Sequence, residues 1–61
     1  MTLTKGDRIK FRWAESEYQF VGTWSGDYVF APLGKGVLEC QIYTKGEVEE
    51  LTGTGEMSRL F

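Results

Sequence analysis

Between residues 8 and 13 the chain alternates without a slip, with Ile9, Phe11 and Trp13 on one side and Arg8, Lys10 and Arg12 on the other. A period of two belongs to a strand with one buried and one wet face, whereas a helix would scatter those apolar residues around its girth. The connector Ala14-Glu15-Ser16-Glu17 is too short for an independently stable helix and reads as a polar turn or bulge. In the next run, Tyr18-Gln19-Phe20-Val21-Gly22-Thr23-Trp24, Tyr18 and Phe20 share a face until Gly22 interrupts the pattern. A glycine so placed marks a bulge or bend and lets a small sheet curl.

The remainder reads as more short strands. Ser25-Gly26-Asp27 makes a turn, and a third strand over residues 28–31 ends at Pro32, which has no N–H for a ladder. After a glycine-rich loop, a fourth strand is expected over 37–43, with Leu38, Cys40 and Ile42 on its buried side. Residues 47–51 alternate less cleanly, and the glycines around them favour a strand over a helical turn. A last strand over 56–61 sets Met57, Arg59 and Phe61 against Ser58 and Leu60. Five or six short strands broken by glycine turns predict a single all-β domain spanning residues 1–61: a small, strongly curved antiparallel barrel.

Size sharpens that expectation. A chain of 61 residues buries only about 60% of the surface it exposes when unfolded. Nine aromatic side chains offset this, since each buries about 150 to 250 Å². The expected core is Phe11, Phe20, Phe30 and at least one tryptophan. A flat sheet would not enclose them, but a barrel, or a curved sheet paired with another subunit, would. Closure also removes exposed strand edges.

The opening Leu3-Thr4-Lys5-Gly6-Asp7-Arg8-Ile9-Lys10-Phe11 resembles the start of many SH3-like small barrels, and Lys45-Gly46-Glu47-Val48 resembles the Gly-x-Val strand entry of Tudor-like and KOW-like relatives. The resemblance spans residues 3–51. It implies a barrel that binds proteins, methylated side chains, RNA or DNA, or that supports ring and dimer assemblies. The chain departs from the signalling members, for it lacks their Ala-Leu-Tyr-Asp-Tyr stretch and adjacent tryptophan pair.

Residue types narrow the chemistry. With no histidine, a histidine general base, a Ser-His-Asp triad and histidine-ligated zinc are excluded. One cysteine, Cys40, allows neither an intrachain disulfide nor a C-x-x-C pair, and it favours a reducing, cytoplasmic setting. Gly34-Lys35-Gly36 lacks the spacing of a phosphate-binding loop. Glu47, Glu49 and Glu50 read as a solvated acidic rim. No apolar run is long enough to span a membrane, and the N-terminal residues lack a signal-peptide core. A non-enzymatic chain without metal or cofactor is the expectation.

What remains is surface. Net charge is −2, divided as +1 over residues 1–35 and −3 over residues 36–61. An acidic whole gives no long-range pull on a polyanion, although a local patch can. The candidate interaction residues are the cations Arg8, Lys10, Arg12 and Lys35 and the rings Trp13, Tyr18, Trp24, Tyr28 and Tyr43. As anchors inside a polar rim these rings suit a partner protein, the favoured reading. Stacked under bases beside the arginines they suit single-stranded nucleic acid. Self-association into a homo-oligomeric structural subunit is the third reading.

Overall fold

The computed structural model describes residues 3–33 and 39–60. Within them the chain forms β1 (Arg8–Phe11), β2 (Tyr18–Trp24), β3 (Asp27–Pro32), β4 (Gln41–Tyr43), α1 (Lys45–Thr54) and β5 (Met57–Arg59). The five strands make one antiparallel sheet in the order β4-β3-β2-β1-β5. The first four follow one another as a meander; α1 then crosses over and lays β5 beside β1. The fold is thus mainly sheet, with one short helix.

The alternation of the first run survives as far as Phe11. Ile9 and Phe11 are fully buried, while Arg8 and Lys10 are only partly covered on the opposite face. The strand ends earlier than expected because the Ala14 N–H donates to the Phe11 carbonyl at 3.1 Å and turns the chain. Gly22 does interrupt the second run: pairing passes from Phe20↔Phe30 to Gly22↔Val29, leaving Val21 unpaired in a bulge. Its φ of 129° is one that residues with a Cβ rarely adopt. At the hairpin tip Ser25 and Gly26 both take positive φ, as a two-residue turn matched to strand twist requires.

The core is Ile9, Phe11, Phe20, Phe30, Val48 and Met57, with Leu3, Ala14, Tyr18, Tyr28, Tyr43 and Leu51 packed against it. Phe30 meets Phe11 edge-on at 5.6 Å and Phe20 tilted at 5.6 Å. The three phenylalanines are where the pattern put them. The tryptophans are not: Trp13 is 55% and Trp24 70% exposed, so neither is core.

Three further expectations are corrected. Residues 47–51 are helical rather than extended. Thr44 caps α1 reciprocally: its hydroxyl accepts from the Glu47 N–H at 3.1 Å, and its own N–H donates to Glu47 Oε1 at 2.9 Å. The helix stops at Gly55, which is left-handed. The buried side of the fourth strand is also reversed. Ile42 stands opposite Val29 and is 57% exposed, whereas Tyr43 packs on Phe11 and Phe30. Cys40 is half-buried, and the expected start of that strand, including Leu38, lies outside the described residues. Finally, no ladder joins β4 to β5 among the described residues, so the sheet is open rather than closed into a barrel. The crossover helix stands between those two edges in sequence and closes the core from the side by inserting Val48.

Candidate functional site

At one end of the sheet the β1–β2 connector, the start of β2, the end of β3 and the approach to β4 surround an open groove of about 320 Å³. Its walls include Trp13, Tyr18 and Pro32, with Glu15 and Glu39 as the charged side chains among the described residues. The rings are held from beneath by one core residue. Trp13 stacks on Phe11 with centroids 5.1 Å apart and planes 24° apart, and Tyr18 meets the same ring edge-on at 5.0 Å. The first buried strand therefore supplies the platform, and the turn after it supplies an exposed aromatic plate. Pro32 is buried at the end of β3, and beside it the Leu33 N–H donates to the Glu17 carbonyl at 3.0 Å, tying that strand end to the connector.

Two of the candidate cations, Arg8 and Lys10, are engaged within the chain. Arg8 pairs with Glu17 at 3.6 Å. Lys10 Nζ donates to the Phe11 carbonyl at 3.1 Å and to the Ala14 carbonyl, clamping the turn that carries Trp13. Arg12 is exposed, and its Nη2 lies near the helix stop, where a Cβ placed on Gly55 would be 3.5 Å from it. That position is the negative end of α1, whose last turn has no basic side chain of its own. Lys35 lies outside the described residues.

The other rings separate. Tyr28 tilts against Phe20 at 5.5 Å and Tyr43 against Phe11 at 5.6 Å, so both border the core. Burial raises the Tyr43 phenol above its usual pKa, with smaller contributions from Tyr18 and the Glu47 carboxylate. Trp24 stands apart with Ser25, Asp27 and Ile42 around a second shallow depression at the hairpin tip. Of the eight candidates among the described residues, only Trp13 and Tyr18 share a groove. Sequence reasoning missed Pro32, Glu15 and Glu39, which come together only through strand pairing and carry no spacing signal.

Among the described residues no cluster of His, Cys, Asp and Glu is placed to hold a metal ion, and no helix is long and apolar enough to cross a membrane. No protein-family model, curated protein or solved structure matches the chain.

Proposed function

We propose that the chain is a non-enzymatic protein-interaction module that grips a partner through the Trp13–Tyr18 groove. The observation carrying this reading is an aromatic plate more than half exposed, yet fixed in orientation by a buried ring beneath it. Rings already held in place lose little conformational freedom on binding, which is why such side chains dominate protein interfaces. The SH3-like character of the fold belongs to the same reading, supported by the opening motif and by a fifth strand laid beside the first. So does a cytoplasmic setting, supported by the unpaired Cys40.

The cations favour a protein over nucleic acid. Arg8 and Lys10 each have an intramolecular partner, and phosphate contacts there would have to compete with Glu17 and two carbonyls, which leaves Arg12 as the exposed cation of the three. The test sets the folded chain against displayed random peptides and, separately, a single-stranded oligonucleotide. Peptides should be retained by wild type and by the double variant Arg8→Ala/Arg12→Ala, but lost from Trp13→Ala. Oligonucleotide binding that weakens steeply with salt and vanishes in the double variant would overturn the proposal.

A second reading, a structural subunit associating with its own copies, is favoured by Val21, Trp24 and Ile42, apolar side chains left exposed. Sedimentation at several concentrations separates the two: mass rising with concentration and suppressed by Trp24→Ser supports the subunit.

A further inference from the structure

Resting on the interaction-module reading above, we infer that the groove receives a cationic side chain, lysine or arginine, from an extended segment of the partner. Two features converge on this. The π-face of a tryptophan attracts a cation, most strongly where the two are partly desolvated. Here the exposed ring of Trp13, with Tyr18 and Pro32 beside it, supplies an apolar surface for the methylene stem of a long basic side chain. The second feature is charge. Both charged side chains among the described lining residues, Glu15 and Glu39, are carboxylates, and among the described residues neither has an ion-pair partner. The nearby ammonium of Lys10 is turned onto the carbonyls of Phe11 and Ala14, so it neutralises neither. An aromatic plate flanked by two carboxylates that have no ion pair among the described residues suits a positively charged tip and disfavours an acidic one.

The other candidates carry less. The depression at Trp24 has one carboxylate, Asp27, and nothing that selects an occupant. Cys40 is a lone half-buried thiol. The acidic stretch at Glu47, Glu49 and Glu50 is part of a capped helix, with Glu47 committed to the cap.

The experiment selects a random dodecapeptide library on the intact chain, then titrates an enriched peptide and its Lys/Arg→Gln counterpart while recording backbone and indole N–H shifts. Enriched peptides should carry an excess of lysine or arginine, and shifts should centre on the Trp13 indole and the Glu15 and Glu39 amides. Neutralising the peptide's cation should weaken binding by about tenfold, and Glu15→Gln/Glu39→Gln should weaken it by about threefold to tenfold while flattening its salt dependence. Trp13→Ala should abolish it; Trp24→Ala should leave it unchanged. Peptides with no basic excess that still depend on Trp13 would overturn this inference and leave the module standing. No enrichment on a folded chain, or enrichment indifferent to Trp13, would overturn both. The two glutamine substitutions are at surface positions, so a lost fold at Trp13→Ala would not spare the inference.

Discussion

Phe11 shows how much a single side chain decides in so small a protein. It is fully buried, touches Phe30, Tyr18 and Tyr43, and carries Trp13 on its face. Core and groove are thus two sides of one ring. Tyr43, its neighbour toward β4, yields a pH prediction. Because burial raises its folded pKa, the unfolded chain loses this proton first, near pH 10. Below that pH both states hold the proton and the group leaves stability unchanged. Above it the unfolded state binds fewer protons, so stability falls as pH rises from about 10 through the raised folded value. The phenolate absorbance of folded wild type should rise later than that of Tyr43→Phe, and the alkaline unfolding midpoint should move up in the variant. Coincident titrations would show that Tyr43 is not buried as described.

At the scale of elements, α1 is the instructive case, because its signals were present and were outweighed. Thr44 and Glu47 have the spacing of a capping box, and Val48 and Leu51 lie three apart, on one helical face. Against them stood Gly46 and Gly53, both poor helix residues, and the threonines at 52 and 54. The structure resolves the conflict through caps and packing: Thr52 Oγ1 donates back to the Val48 carbonyl at 2.9 Å, and Val48 fills the side of the core. With such modest intrinsic propensity the cap matters more than usual. Thr44→Ala should cost about 1 kcal/mol, and in a domain this small that lowers the thermal midpoint by about 4 to 8 °C. Thr44→Ser should recover most of the loss. An unchanged midpoint in Thr44→Ala would mean that the helix is held by packing alone. The strands were more legible, since β1 and β2 alternate and Gly22 announces its bulge. The reversed facing of β4 was not, because a three-residue strand takes its orientation from the register with Val29 rather than from its own pattern.

Across the whole molecule, strand pairing brings distant residues to one end of the sheet: Trp13 and Glu15 from a turn, Pro32 from a strand end, Glu39 from the approach to β4. The rings of this site were legible as aromatic residues beyond what a small core needs. Which of them would meet was not, because the pairing of β1 with β2 sets Tyr18 beside Trp13 over Phe11, and the pairings of β2 with β3 and β3 with β4 add Pro32 and Glu39. On the proposed function Trp13, and not the more exposed Trp24, is the binding ring. Two single-tryptophan variants, Trp24→Phe and Trp13→Phe, report on each position separately by fluorescence. On addition of a peptide selected on wild type, Trp13 emission should shift to the blue and become shielded from iodide, while Trp24 emission stays unchanged. A response confined to Trp24, with Trp13 as open to iodide as before, would rule out the Trp13–Tyr18 groove as the binding site.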